Sequence, residues 1–353
     1  MQINFAKLAK KSVRASAAYS SARSLVSKAK VFLDANENSF GSVLPKISKV
    51  DLSRYPDPLA ERLCEQYAKY AGVAKNKVLI GNGSDEIIWL LLLAFVEANE
   101  EILTTAPTFS MYRVFAELLG LKVSEVALEE DYSLDIQKFL KKVSAKTKLI
   151  FLCSPNNPTG QTVPCVDVEK VLRKGKLVIV DEAYIEFSPQ KSCAKLLKQY
   201  PNLIILRTFS KAWGLAGLRV GVALADSAVI AILQKVRAPY SVDGLSQQLA
   251  LDALTRSAKM KVAVKKILSE REKLTAALWK LGLIVSPSEA NFLLVQFPSG
   301  VSATKVYEKL VKQFGIVVRD FSAKKLLKNS LRITVGTPAE NSKLAVALKK
   351  ILK

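Results

Sequence analysis

The chain has 353 residues, of which 50% are hydrophobic, and a formal net charge of +22 at pH 7. This length is enough to bury one large core and a second, smaller one. The sequence contains no histidine. This absence excludes a serine or cysteine nucleophile activated by histidine, and it excludes a zinc site with histidine ligands. We therefore predict no metal. Because Cys64, Cys153, Cys165 and Cys193 show no metal-binding or redox spacing, we expect reduced thiols in a reducing compartment, the cytoplasm.

The charge pattern indicates a solvated basic surface rather than a nucleic-acid interface. Lysines are scattered along helix-like segments such as 258–273 and 342–353, without interleaved aromatic residues or a recognition helix. The longest apolar run, Ile87–Val96, is too short to span a bilayer. We therefore predict no nucleic-acid partner and no membrane, and the basic surface would attract anionic substrates.

The first predicted strand with a chemically informative end is Val78–Ile80. It is followed by Gly81–Ser84 and then by Asp85 and Glu86, which open an apolar helix. Glycines let the backbone approach an anion, and the free N–H groups at the start of a helix point toward it. Taken alone, this segment is a generic strand-to-helix turn.

Two further apolar runs are predicted to be parallel strands with polar ends. Leu149–Leu152 precedes the rigid loop Ser154–Gly160, which can direct an amide side chain inward. Leu177–Val180 precedes Asp181. The Asp181 carboxylate would either cap a helix or pair with a cationic ring nitrogen.

The most informative segment follows the predicted strand Leu203–Leu206 and places Lys211 at its carboxyl end. A desolvated lysine flanked by cations loses proton affinity and can form a Schiff base. Ser210 and Arg219 could bind a phosphate while Lys211 holds an aldehyde, a combination that describes a pyridoxal 5'-phosphate site. The alternative is a surface lysine beside a core strand. Ligands of open α/β sheets bind at the carboxyl ends of strands, so the four polar ends together favour the cofactor site.

Five more segments place these motifs in a known family. These segments are Leu33–Asn38, Arg54–Pro58, Pro107–Tyr112, Gly315–Asp320 and Leu331–Thr337. On these segments the chain resembles the histidinol-phosphate aminotransferases, which are class II pyridoxal-phosphate-dependent aminotransferases of fold type I, from about Leu8 to the C-terminus.

The resemblance implies an α/β fold with two domains. We expect a large doubly wound α/β/α domain, with a mostly parallel central sheet, over residues 51–246, and this domain would bind the cofactor. A smaller α+β domain would comprise residues 31–50 and 247–353. The first 33 residues contain seven basic residues, no acidic residue and many Ser and Ala, a composition that suggests a transit peptide. Because Tyr19–Arg23 resembles the N-terminal arm of the family, we assign 1–30 to that arm and to the mature protein.

Each matching residue acquires an implied role. Lys211 would form the Schiff base and move the substrate proton, and Asp181 would keep the ring nitrogen protonated. Tyr184 and Asn157 would hydrogen-bond the ring oxygen, and Phe109, where the family usually has tyrosine, would stack on the ring. The residues implied to hold the cofactor phosphate are Ser84, Asp85, Ser210, Arg219 and Tyr55 of the partner subunit in a homodimer.

Substrate binding would depend on two arginines. Arg332 can meet either a phosphate or a carboxylate with its planar guanidinium, as a two-donor reaction requires. Arg319 would add a second guanidinium, Tyr19 would close over the same anion, and Asn157 would contact the substrate as well. The alternative for Arg319 is an ion pair with Asp320.

The implied reaction converts histidinol phosphate and 2-oxoglutarate to imidazole-acetol phosphate and glutamate, reversibly and by a ping-pong cycle, in histidine biosynthesis. A broad aromatic amino-acid aminotransferase, a threonine-phosphate decarboxylase and a non-enzymatic regulator remain alternatives. The chain has no room for the DNA-binding domain that such regulators usually add. In the segment Pro239–Asp243, Ser241 and Asp243 replace two family asparagines, and we expect altered specificity or turn geometry.

Overall fold

The computed structural model describes residues 30–34, 36–41 and 55–353. Nearly all of the predicted N-terminal arm, including Tyr19, lies outside the described residues, as do residues 42–54.

The β-strands belong to three sheets. In chain order they are β1 (Val31–Phe32), β2 (Val78–Asn82), β3 (Glu101–Ala106), β4 (Lys122–Ala127), β5 (Thr147–Cys153), β6 (Leu177–Asp181), β7 (Leu203–Thr208), β8 (Val220–Ala225), β9 (Ile284–Val285), β10 (Phe292–Gln296), β11 (Ile316–Val317), β12 (Arg319–Asp320) and β13 (Ser330–Thr334). The largest sheet has the order β2-β8-β7-β6-β5-β3-β4. β8 runs antiparallel to both of its neighbours, whereas the other strand pairs are parallel.

The helices cover both faces of this sheet or pack against the two smaller sheets. They are α1 (Glu61–Ala71), α2 (Gly83–Phe95), α3 (Met111–Leu119), α4 (Ile136–Lys142), α5 (Cys165–Leu172), α6 (Ser227–Val236), α7 (Gly244–Leu254), α8 (Ser257–Trp279), α9 (Ala303–Lys309) and α10 (Pro338–Ile351). Short 3-10 segments occupy Lys75–Lys77, Ile185–Phe187, Cys193–Lys198, Ala216–Leu218 and Lys325–Leu327, and a π-helical turn occupies Leu310–Phe314. Within the described residues, no helix is both long and apolar enough to cross a membrane.

Successive side chains of the central strands point to opposite faces of the large sheet, which explains why a layer of helices packs on each face. On β5, Leu149 and Phe151 join one buried cluster, with α2, α3 and α6, whereas Ile150 and Leu152 join another, with α1, α5 and α7. A strand that is buried on both faces reads as a continuous apolar run, which is the pattern found in the sequence. The predicted doubly wound α/β/α architecture, with its mostly parallel sheet, is confirmed.

The remaining two sheets form the smaller α+β part. β12-β13-β10-β9 is an antiparallel sheet, and β1 pairs in parallel with β11. Leu33, Leu278, Leu293 and Leu344 bury a third apolar cluster between these strands and the helices α8 and α10. The predicted domain limits stay a prediction, because residues 42–54 are outside the described part and residue 247 lies inside α7.

The expectation of four reduced cysteines is wrong for one pair. Cys165, at the start of α5, and Cys193, at the start of a 3-10 helix, form a disulfide with their Cα atoms 5.5 Å apart. Their sequence separation of 28 residues carries no recognisable motif, and only the path of the chain after β6 brings them together. Cys64 and Cys153 are buried free thiols. A reducing, cytoplasmic setting is therefore not supported by the cysteines.

Candidate active site

The four polar strand ends of the sequence analysis meet at one edge of the large sheet. Ser84, Asn157 and Lys211 follow β2, β5 and β7, Asp181 is the last residue of β6, and all four line one cavity of about 340 Å³. The other predicted site residues that line it are Asp85, Phe109, Tyr184, Ser210, Arg219, Arg319 and Arg332. Since Arg319 and Arg332 belong to the smaller sheet, both parts of the molecule build the cavity.

Lys211 lies in the turn that follows β7. Its Nζ atom is 5.7 Å from the centre of the Tyr184 ring. Burial lowers the pKa of the Lys211 amine to about 8, and the positive charge of Arg332 acts in the same direction. Because a neutral amine is the form that attacks a carbonyl carbon, this environment favours nucleophilic and proton-transfer chemistry at neutral pH.

Asp181, the last residue of β6, is only 3% exposed. The Tyr112 hydroxyl donates a hydrogen bond of 2.7 Å to its Oδ2 atom, and the Ala183 N–H donates one of 3.1 Å to its Oδ1 atom. Burial raises the pKa of the carboxyl group to about 6, and the two hydrogen bonds oppose this change. A carboxylate that is buried this deeply stays ionised more readily beside a cation, and a protonated ring nitrogen would provide one.

One end of the cavity is suited to an anion. Helix α2 begins at Gly83, so the backbone N–H groups of Ser84 and Asp85 lie in its first turn and have no partner within the helix. The Nη2 atom of Arg219 lies 3.2 Å from Asp85 Oδ2, and its Nη1 atom lies 3.5 Å from Ser210 Oγ. Cationic, hydroxyl and N–H donors therefore converge, as phosphate binding requires.

Strand β8 lies directly against this helix start. A Cβ atom added to Gly221 would lie 2.3 Å from the backbone N of Ser84, so only glycine fits there. In the neighbouring turn, Thr208 Oγ1 accepts a hydrogen bond of 3.0 Å from the N–H of Ser210 and lies 2.9 Å from its Oγ atom. Thr208, which also lines the cavity, was not identified from the sequence although it opens the segment Thr208–Arg219 that contains Lys211.

A chain of hydrogen bonds joins the middle of the cavity to its second anion-binding end. The Tyr184 hydroxyl accepts from Asn36 Nδ2 at 3.1 Å and from Asn157 Nδ2 at 3.4 Å, and burial raises the pKa of this phenol. Asn157 Oδ1 accepts in turn from Arg332 Nη1 at 2.6 Å. The role of Asn36 was missed in the sequence, although the residue lies in the quoted motif Leu33–Asn38.

The second anion-binding end contains the two arginines of the smaller sheet. Arg332 is 7% exposed, and its Nη2 atom donates to the carbonyl oxygen of Asp34 at 2.6 Å. Arg319 lies directly opposite Arg332 in the β12–β13 register, which places both residues on one face. The side chain of Asp320 points to the other face and accepts from the N–H of Ser322 at 2.7 Å. Arg319 therefore faces the cavity beside Arg332, and its role as an anion ligand stays a prediction.

Apart from Tyr184, the predicted site includes three aromatic residues, and they differ in their positions. Phe109 lines the cavity and meets the Tyr112 ring edge-to-face, with the centroids 5.5 Å apart. Tyr55 does not line the cavity of its own chain; it is 82% exposed and stacks on Tyr240 at 4.7 Å. The prediction for Tyr19 concerns a residue outside the described part of the chain.

The segment that departs from the family pattern forms the start of α7. Asp243 is the N-cap residue, and its carboxylate accepts from the Ser246 N–H at 2.8 Å and from the Ser246 hydroxyl at 2.6 Å. Aspartate and asparagine are both favoured at this position, so the replacement preserves the helix start. Ser241 precedes the cap by two residues and does not line the cavity.

Comparison with known proteins places this geometry in a family. Residues 28–348 match the family model described as aminotransferase class I and II. The chain is 42% identical over 332 residues to a histidinol-phosphate aminotransferase of Caldanaerobacter subterraneus subsp. tengcongensis, covering 91% of this chain and 92% of that protein. It is 39% identical over 355 residues to the histidinol-phosphate aminotransferase of Flavobacterium psychrophilum, covering 99% of both chains.

A solved structure agrees with the sequence relatives. The crystal structure of histidinol-phosphate aminotransferase from Sinorhizobium meliloti, in complex with pyridoxal-5'-phosphate, superposes with a TM-score of 0.87 and 26% identity over 97% of this chain and 96% of that one. The chain therefore belongs to the class I and II aminotransferases and, within them, to the histidinol-phosphate aminotransferase family.

Proposed function

We propose that this protein transfers the amino group of histidinol phosphate to 2-oxoglutarate, yielding imidazole-acetol phosphate and glutamate in a reversible ping-pong cycle of histidine biosynthesis. One observation carries the proposal. A single cavity combines Lys211 and Asp181 with one anion-binding end at Arg219 and another at Arg319 and Arg332. A phosphorylated cofactor and a phosphorylated or dicarboxylic substrate need these two ends.

The groups that line the cavity fit pyridoxal 5'-phosphate. Its phosphate would be held by the N–H groups at the start of α2, with Ser210 and Arg219, in a cradle that a Cβ atom at Gly221 would fill. Its protonated ring nitrogen would pair with Asp181, and Lys211 would hold its aldehyde carbon. When bound, the cofactor supplies an electron sink for the negative charge that forms at the α-carbon of the amino donor.

Lys211 would carry the proton in this chemistry. The low pKa of its amine, about 8, keeps a useful neutral fraction at physiological pH, so Nζ can accept the α-carbon proton and return it. The Tyr184 hydroxyl accepts hydrogen bonds from Asn36 and Asn157. Its own proton is then available for the ring oxygen of the cofactor, whose anionic form it would stabilise.

The two arginines would let one site accept both substrates. Arg332 is held by Asn157 and by the carbonyl group of Asp34, which fixes the plane of its guanidinium. A fixed guanidinium binds a phosphate or a carboxylate with two parallel hydrogen bonds, and Arg319 would add charge on the same face. Histidinol phosphate offers a phosphate and glutamate offers its α-carboxylate, so the same pair would serve both half-reactions.

We also propose a homodimer in the cytoplasm. The exposed stack of Tyr55 on Tyr240 presents aromatic surface that a partner subunit would cover, and Tyr55 would then reach the phosphate in the neighbouring site. Tyr19 would close over the anion of the substrate. The biosynthetic reaction supports the location, whereas the disulfide between Cys165 and Cys193 speaks against a strongly reducing compartment.

A half-reaction assay tests the substrate. Purified protein loaded with pyridoxal phosphate is mixed separately with histidinol phosphate, phenylalanine, tyrosine and threonine phosphate, and the visible absorbance of the bound cofactor is followed. We expect rapid conversion to the amino form of the cofactor with histidinol phosphate alone. Comparable conversion by phenylalanine or tyrosine would instead support a broad aromatic aminotransferase. Release of carbon dioxide from threonine phosphate would support the decarboxylase.

A further inference from the structure

The carboxylate of Asp181, which would pair with the cofactor, is held by a side chain that the sequence did not identify. Tyr112, in the first turn of α3, is 0% exposed and donates its hydroxyl proton to Asp181 Oδ2 at 2.7 Å. Its ring stacks on Phe151 at 4.7 Å and meets Phe109 edge-to-face at 5.5 Å. These two contacts restrict the ring, so the position of the hydroxyl group is set by the packing of the core.

The hydrogen bonds to Asp181 affect both the orientation and the ionisation of its carboxylate. Oδ2 receives the Tyr112 proton and Oδ1 receives the Ala183 N–H, so rotation of the carboxylate would break both bonds. Donation from a neutral phenol favours the ionised carboxylate over the acid, which counteracts the effect of burial. The titratable groups whose charges affect Asp181, or are affected by it, are Tyr112, Asp85, Glu182, Cys153 and Tyr184.

We propose that Tyr112 is a positioning residue that keeps the Asp181 carboxylate ionised and oriented toward the ring nitrogen of pyridoxal phosphate. This inference rests on the proposed function, because it requires the cofactor. Tyr112 acts through Asp181, and its hydroxyl group is already used by that carboxylate. The effect of losing the hydroxyl on ligand binding should therefore appear only with a ligand that carries a ring nitrogen.

The substitution Tyr112→Phe removes the hydroxyl group and retains the ring contacts with Phe151 and Phe109. A matched control is Tyr67→Phe, because Tyr67 is 3% exposed and packs against Phe209 but does not contact Asp181. Binding to the cofactor-free proteins is measured for pyridoxal phosphate and for its carbocyclic analogue, in which a C–H group replaces the ring nitrogen. A hydrogen bond to a charged group predicts that Tyr112→Phe weakens pyridoxal phosphate binding by about 10- to 100-fold.

The analogue separates positioning from packing. We expect its affinity to be the same in Tyr112→Phe and in the unmodified protein, and Tyr67→Phe to leave both affinities unchanged. Equal weakening of the two ligands by Tyr112→Phe would mean that the tyrosine only supports the cavity wall, and the proposal would be overturned. Unchanged binding of both ligands would overturn it as well.

A second readout does not involve the cofactor. The protonation of Asp181 in the cofactor-free protein can be followed by infrared spectroscopy of its carboxyl band, identified by its loss in Asp181→Asn. The unmodified protein should titrate with a midpoint of about 6, and Tyr112→Phe should titrate at higher pH. An unchanged midpoint would overturn the role of Tyr112. Failure of the unmodified protein to bind pyridoxal phosphate would instead overturn the proposed function.

Discussion

Gly221 offers a sharp test of where the cofactor phosphate binds. A Cβ atom at this position would lie 2.3 Å from both the carbonyl carbon of Gly83 and the backbone N of Ser84. Both are backbone atoms, so no flexible side chain can move aside. The control is Gly217→Ala in the 3-10 segment Ala216–Leu218, where an added Cβ meets nothing within 4 Å.

The size of the effect follows from this contact. An ordinary carbon–nitrogen contact is at least 3.4 Å, so Gly221→Ala must move β8 and the start of α2 apart by about 1 Å. Overpacking of this kind costs about 1–3 kcal/mol of unfolding free energy. Misplacing a backbone N–H group that donates to a charged phosphate costs about 1.5–3 kcal/mol of binding free energy, and 1.4 kcal/mol corresponds to about tenfold in affinity. We therefore expect the affinity for pyridoxal phosphate to fall about 10- to 100-fold.

Two measurements separate the local effect from general instability. Urea denaturation gives the loss of unfolding free energy, and equilibrium dialysis gives the cofactor affinity for Gly221→Ala and Gly217→Ala. We expect a large loss of cofactor affinity for Gly221→Ala at a temperature where both variants are folded. Equal cofactor affinity in the two variants would refute the assignment of the phosphate to the start of α2.

Four further predictions concern the lysine, the substrate anion and the disulfide. Lys211→Ala should abolish turnover and the visible absorbance of the lysine-bound cofactor; an active variant would disprove the role of the lysine. In the cofactor-free protein, acylation of Lys211 should fall as the pH decreases through about 8, since the protonated amine is unreactive, and a midpoint near 10.5 would contradict its burial. Arg319→Ala should reduce kcat/KM for histidinol phosphate more than for phenylalanine, which has no phosphate, and equal losses would make Arg319 structural. Cys193→Ser should lower the unfolding free energy by about 3–4 kcal/mol under oxidising conditions, given the separation of 28 residues between the bridged cysteines. A reductant should remove that difference, and a difference that persists would exclude the disulfide as its cause.

The sequence was most informative where an apolar run, which predicts a buried strand, ends at a polar residue. Continuous apolar runs located β2, β5, β6 and β7, because strands buried on both faces leave this pattern. The polar residues that follow these runs could then be assigned to one edge of the large sheet. The reaction itself came from the resemblance, since no spacing rule distinguishes histidinol phosphate from another amino donor.

The residues that were missed act through long-range contacts. Tyr112 reaches Asp181 across 69 residues, and Asn36 reaches Tyr184 across 148. Neither contact leaves a periodic signal, because each depends on how separate elements pack. The disulfide was missed for the same reason, since Cys165 and Cys193 approach only after α5 and the loop that follows β6 have folded.

Transfer of a labelled amino group tests the central claim most directly. The protein, loaded with pyridoxal phosphate, is incubated with unlabelled 2-oxoglutarate and with histidinol phosphate whose amino nitrogen carries a heavy isotope. We expect the label to appear in glutamate, in an amount equal to the imidazole-acetol phosphate formed, and Lys211→Ala to transfer none. Unlabelled glutamate, or a label that stays in histidinol phosphate, would contradict it.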